Sequence, residues 1–412
     1  MLELFGLAAI ICLGVITIGT LANKYLRLPW MFTVVILGMI LANFDWAVGI
    51  VQSADFQFLA RMGMLFFLFT IGIDLDLKQI GKLGSHIVFG NIILTLSEGL
   101  LLGCLFYFAF PELVSHSFWV ALLAGIAFGT VGEVVLLAIL KEFGLEKTKF
   151  GQLALGIGVF DDIFEILVLA IIISMPEFLA NGSKAAEVNN ALDLIWSLLG
   201  LILITIVLML IGKYVKPHFA KLKPDSFIIP FIIFFVIFSF LFLGTKNNEN
   251  MGVIAAIFSG IIVNQFLPES LVQQFKKPLF FLANNFFGPF FFLSLGGKMS
   301  FSEITALPIL ITLIILISLA TRVGVTYILF NRLLGKRQSM IMGVGLTAKF
   351  STSVISENLL FSSGLIAQPL YTAIMAAFII LKPIIVAVFS RGLESHKQAI
   401  LEVSEMELVT IK

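Results

Sequence analysis

Charge is scarce in this chain. Of its 412 residues only 12% are Asp, Glu, Lys or Arg, whereas 59% are hydrophobic. A soluble domain carries roughly 25% charge, because its surface cannot be mostly apolar, so a soluble enzyme is excluded. Disorder is excluded for the same reason. Cysteine is nearly missing: Cys12 and Cys104 both sit in apolar runs, too few for a disulfide or metal framework. The four histidines share no ligand spacing, and the net charge is only +1. Neither a resident metal nor nucleic acid is expected. The first apolar run has no basic residue before it, so it reads as a retained span rather than a cleaved signal. With no metal-binding His/Asp set, and no serine or cysteine beside an evident base, an intramembrane enzyme is not expected, nor is a cofactor. What the chain does have is phenylalanine, 43 of it, and a mean hydropathy of +1.09. At about 30 residues per span and loop, that is room for roughly twelve to fourteen membrane helices.

Apolar stretches fall at 2–22, 29–43, 57–73, 84–110, 117–140, 150–175, 191–212, 226–243, 249–266, 278–296, 304–330, 339–361 and 366–390. The expected fold is an all-α polytopic membrane protein with about 13 transmembrane helices. Basic residues test the count: nineteen of the 26 Lys and Arg fall on one side of such a topology and four on the other. The positive-inside bias places the N-terminus outside and the C-terminus in the cytoplasm, in the plasma (inner) membrane. An odd count also suits two inverted six-helix repeats, spans 1–6 and 8–13, joined by one helix. In that architecture ions bind at midplane, where helices are interrupted.

Ionisable residues inside spans mark where chemistry can lie, since each costs at least about 2.5 kcal/mol at a helix centre. Asp161 and Asp162 sit in the middle of the sixth span. Neighbours on a helix point 100° apart, so one carboxylate can face an ion cavity while the other faces protein. Glu165 lies one turn beyond Asp161 on its side. The alternative is a buried structural network with Arg322 or Lys349. In the fifth span, Gly129-Thr130-Val131-Gly132 is a plausible unwinding point, with Glu133 directly after it as a third carboxylate. In the twelfth, the 345–353 run is polar for mid-membrane and contains Lys349, with Glu357 further along. Arg322 needs an anion, and Asp161, Asp162 or Glu133 are the obvious ones. Glu133 and Lys349, one at each interruption, are expected to form a compensating pair. Glu98, beside Gly99 and Gly103, is expected to make a structural hydrogen bond, and Lys382 to snorkel toward the cytoplasm.

The segments 65–80, 129–163, 289–301 and 332–350, in that order along the chain, resemble the monovalent cation:proton antiporter superfamily, nearest its Kef-type and bacterial sodium/proton exchanger branch. The resemblance implies a homodimer and two crossing discontinuous helices. It implies a dimerisation part over 1–83 and 213–300, an ion-binding core over 84–175 and 301–391, a linker helix at 176–212 and a short cytoplasmic tail at 392–412. Asp162 matches the principal carrier, Asp161 its neighbour, and Arg322 the basic residue that exchanges contact with the pair. Asp74 and Asp76 match acids at the end of the third span. Two departures touch the ion site: Glu133 stands after the threonine, and Lys349-Phe350 replaces a glycine–glutamate. The Kef systems carry a nucleotide-binding regulatory domain, so any such unit here would be a separate regulatory subunit. The expected activity is antiport of Na+ or K+ against H+, with membrane lipid as the surroundings. The alternatives are a passive cation channel or uniporter, or a transport-inactive membrane subunit or sensor.

Overall fold

The computed structural model describes residues 2–26, 28–75, 84–180, 185–219, 228–246, 249–349 and 352–410. All of the regular structure among them is helical. In chain order the helices used below are α1 Leu2–Leu26, α2 Trp30–Leu41, α3 Asp45–Val51, α4 Ala54–Asp74, α5 Ser85–Ala109, α6 Phe118–Phe128, α7 Glu133–Phe143, α8 Lys149–Ala180, α9 Ala185–Phe219, α10 Ile228–Thr245, α11 Glu249–Phe266, α12 Glu269–Gly297, α13 Phe301–Ala306, α14 Pro308–Leu334, α15 Lys336–Gly345, α16 Thr352–Ser362 and α17 Gln368–Thr410. Eight stretches among the described residues are long and apolar enough to cross a membrane. The protein is a polytopic all-α membrane protein.

Burial runs opposite to that of a soluble bundle. On α5 the apolar Phe89, Ile93, Leu96 and Leu100 face outward, while Asn91, Thr95 and Glu98 are buried. On α14 Ile309, Leu316 and Ile328 face outward, and Ser318, Thr321, Arg322 and Thr326 are buried. Lipid solvates the first set, whereas the polar set must find partners inside.

The chain divides into two compact units. The first holds Met1–Ile18, Met31–Asp76 and Leu169–Gly297. Its helices meet through small residues, as lipid-solvated helices must. A Cβ on Gly72 of α4 would collide with the Ile257 carbonyl of α11, and one on Gly296 of α12 with the Val35 carbonyl of α2. Phe66 and Phe287 stack beside these contacts with centroids 5.3 Å apart. Asn264 caps the end of α4, its Nδ2 donating to the Ile73 carbonyl at 2.8 Å. Asp74 pairs there with Lys276; Asp76 lies outside the described residues.

The second unit holds Gly19–Trp30, Leu77–Val168 and Lys298–Lys412. α5 and α6 press backbone to backbone, Gly125 against the Gly99 carbonyl and Gly103 against Leu122. The segment expected as one span at 117–140 is two helices, because Gly129 and Gly132 weaken the helix between them. The segment expected at 339–361 is likewise broken, between Gly345 and Thr352. α7 ends at Gly144, whose φ of 68° is the left-handed conformation that glycine adopts without strain. Thr148 then caps α8, accepting from Gly151 N at 3.1 Å.

Lys298 ties the end of α16, its Nζ donating to Asn358 Oδ1 at 2.7 Å and Ser362 Oγ at 3.1 Å. Burial pulls its ammonium down to about 8. In the unfolded chain it titrates near 10.4, so between those values the folded protein binds fewer protons than the unfolded one. Stability therefore rises with pH across that window. The thermal midpoint of the detergent-solubilised protein should climb from pH 8 to 10, and Lys298→Gln should flatten that climb. An equal slope in both proteins would refute the assignment.

Candidate ion site in the second unit

The interruption at 129–132 leaves backbone groups without helical partners, and α8 supplies an acid to meet them. Asp161 is 0% exposed, and its Oδ2 accepts from Val131 N at 2.5 Å. Its Oδ1 accepts from Thr95 Oγ1 at 3.2 Å, with Asn91 one turn away on α5. Asp162, its neighbour in sequence, is only half-buried. The two carboxylates thus divide: Asp161 is bound into the protein, and Asp162 keeps some access.

The two interruptions are joined. Gly132 N donates to the Ala348 carbonyl at 2.6 Å, which brings the break after α6 against the break after α15. Thr130 beside it is 1% exposed, and its hydroxyl has no hydrogen-bond partner among the described residues. Such an oxygen can ligate a cation.

The buried cations converge on one carboxylate that the sequence places elsewhere. Glu98 Oε2 lies 2.5 Å from Arg322 Nε, and Oε1 lies 2.8 Å from Lys349 Nζ. Ser318 Oγ donates to Oε1 at 2.5 Å. Lys349 also lies over the Phe128 ring, 4.7 Å from its centroid. Arg322 makes its ion pair with Glu98, which was not among the anions named for it. Lys349 pairs with Glu98 as well; the side chain of Glu133, its expected partner, lies outside the described residues. The reason is the register of α5, which turns Glu98 inward on the same stripe as Asn91 and Thr95. Glu98 is therefore an ion-pair hub and more than a structural hydrogen bond. Arg322 and Lys349 both act electrostatically on Asp161 as well, each favouring its charged form.

The chain as a whole has counterparts among known proteins. The model of the family described as sodium/hydrogen exchanger, transmembrane, matches residues 9–396. The chain belongs to the sodium/hydrogen exchanger family. A Na(+)/H(+) antiporter of Enterococcus hirae is 24% identical over 408 residues, covering 95% of this chain and 99% of that one. The K(+)/H(+) antiporter subunit KhtU of Bacillus subtilis is 27% identical over 379 residues, covering 87% of each. The solved structure of the sodium proton antiporter MjNhaP1 from Methanocaldococcus jannaschii shares the fold, with a TM-score of 0.60 at 15% identity over 97% of this chain and 98% of that one. This exchanger is a multi-pass membrane transporter of the monovalent cation:proton antiporter superfamily. Its activity is secondary active exchange of a monovalent cation for protons, not enzymatic turnover.

The remaining predicted residues of this exchanger fall in or near the same interior. Glu165 is 1% exposed, and its Oε1 accepts from Ser356 Oγ at 3.3 Å. Glu357 is fully buried on α16. Lys382, expected to snorkel, is 2% exposed, and its Nζ has no hydrogen-bond partner among the described residues. Three residues escape the sequence reading: Asn91, Thr95 and Ser318. A signal for the first two exists. With Glu98 they recur at i, i+4 and i+7 in an otherwise apolar helix, which is one face. The backbone donors of Val131 and Gly132 leave no trace in residue identity.

Proposed function

We propose that this protein exchanges Na+ or K+ for H+ and that Asp162 is the carboxylate both ligands compete for. The observation that carries the assignment is the division of the acidic pair: Asp161 is fully buried and committed to Val131 N, while Asp162 is half-buried. Protonated Asp162 is exposed to one side and releases its proton there. A dehydrated cation then binds the carboxylate with the Thr130 hydroxyl, and Asp161 supplies negative charge behind it. Either ligand neutralises Asp162, and only the neutralised site crosses the hydrocarbon cheaply. Competition for one site couples the two fluxes.

The architecture we assign is thirteen spans in two inverted repeats, with the two joined breaks as its crossing discontinuous helices. Residues 84–175 and 301–391 form the ion-binding core, 1–83 and 213–300 the dimerisation part of a homodimer, 176–212 the linker helix and 392–412 the cytoplasmic tail. The basic-residue bias supports an outside N-terminus and cytoplasmic C-terminus in the plasma membrane. KhtU of Bacillus subtilis is a subunit of a K(+)/H(+) antiporter, which supports a separate partner subunit here, and we assign that partner a regulatory role.

The test is flux in proteoliposomes. An imposed Na+ or K+ gradient should move protons only when the protein is present, and clamping the membrane potential to zero should not stop it. Cation flux that follows the potential without moving protons would mean a uniporter. No flux of either kind would mean a transport-inactive relative on the same fold.

A further inference from the structure

A second acidic pair lies in the second unit and takes no part in the mechanism above. Glu165 comes from α8 and Glu357 from α16, and they are 1% and 0% exposed. Ser356 donates to one oxygen of Glu165. The other oxygen of Glu165 and both oxygens of Glu357 are buried with no hydrogen-bond partner among the described residues. The hydroxyl of Ser353, one turn before Glu357 on the same face, is buried and equally without a partner.

Among the described residues the surroundings offer no countercharge. The titratable groups acting on Glu165 are Asp161 and Asp162 on its own helix and Glu357 on α16. On α17, the group that feels the charge of Glu357 is Tyr371. Every one of them is an acid. Arg322 and Lys349 are both engaged by Glu98, and neither Glu165 nor Glu357 makes an ion pair among the described residues. Two ionised carboxylates in such a place would face the full desolvation cost of buried charge and repel each other besides.

We propose that Glu165 and Glu357 form a second proton-binding site, holding at least one proton between them in the resting protein. A proton is the smallest ligand that removes a buried charge, and it converts an acceptor-only carboxylate into a donor. That donor gives one of the unpartnered oxygens something to accept, which no side chain among the described residues does. The two groups then titrate as a unit, with Asp161 and Asp162 acting on Glu165 from its own helix. One consequence, resting on the antiport reading, is that the number of protons moved per cation includes a contribution from this pair.

Infrared spectroscopy of the purified protein at neutral pH tests the site without requiring transport. A protonated carboxyl has a carbonyl band distinct from those of carboxylates and amides. The wild-type protein should show it, and Glu165→Gln combined with Glu357→Gln should remove the intensity of at least one carboxyl group per chain. An unchanged band overturns the proposal. If the double variant fails to accumulate, the two single variants decide. A band shifted or weakened in either supports the site, and a band unmoved in both overturns it. Failure of the antiport assay would leave this result standing, since it detects a resident proton and not its movement.

Discussion

Asp162→Asn should bring ion-driven proton flux in proteoliposomes down to the protein-free background while the protein stays folded. An asparagine amide neither carries a proton at physiological pH nor offsets the charge of a bound cation. Asp161 cannot take over, because its two oxygens are engaged by Val131 N and Thr95 Oγ1. Moving an uncompensated charge through the interior costs at least about 2.5 kcal/mol, which is about a 100-fold loss of rate. Folding should survive, since the substitution removes a charge from the membrane interior. Asp161→Asn should behave differently. It gives the Val131 N–H a weaker acceptor to donate to and removes a negative charge facing Arg322 and Lys349, so both ion affinity and thermal stability should fall. Near-normal flux in Asp162→Asn, with flux lost in Asp161→Asn, would reverse the assignment of carrier and neighbour.

The second large effect belongs to Glu98. Glu98→Gln removes the anion shared by Arg322 and Lys349, leaving two buried cations where one carboxylate had held both. Removing one partner of a buried pair typically costs about 3–5 kcal/mol, so the solubilised protein should lose much of its thermal stability. Lys349→Met in the same chain should restore part of the loss, because the remaining cation then faces one fewer like charge. A double-mutant cycle reads this directly: positions 98 and 349 should be strongly coupled. Additive effects at 98 and 349, together with coupling between 133 and 349, would return Lys349 to the partner first expected of it. Running the cycle with Arg322→Met in place of Lys349→Met separates the two arms of the hub.

Much of this was legible in the amino acids, and for identifiable reasons. Apolar runs of membrane length announce themselves without partners, and a pair of midplane aspartates is too costly to overlook. The breaks at 129–132 and after Gly345 were legible because glycine and clustered hydroxyl residues weaken a helix locally. Pairing was not legible. Which anion meets Arg322 depends on the rotation of α5 about its own axis, and Glu98 could be read as facing either way by its flanking glycines. Lys382 was misplaced for a similar reason: its distance along the chain from the tail says nothing about what covers it, and on α17 it is buried. The capture of Asp161 by Val131 N depends on a backbone donor, so no residue type could have advertised it.

The bond from Gly132 N to the Ala348 carbonyl has a consequence for how such a protein can change over time. It is a clasp between main chains, so it does not depend on the chemistry of the side chain at 348, provided that side chain is small enough for a buried position, and proline at 132 would remove the donor. Chemistry at the neighbouring positions is then free to drift, to a lysine at 349 for example, without unfastening the two half-helices from one another. A lineage could retune what its cavity selects by exchanging side chains around a fastening that those exchanges never touch.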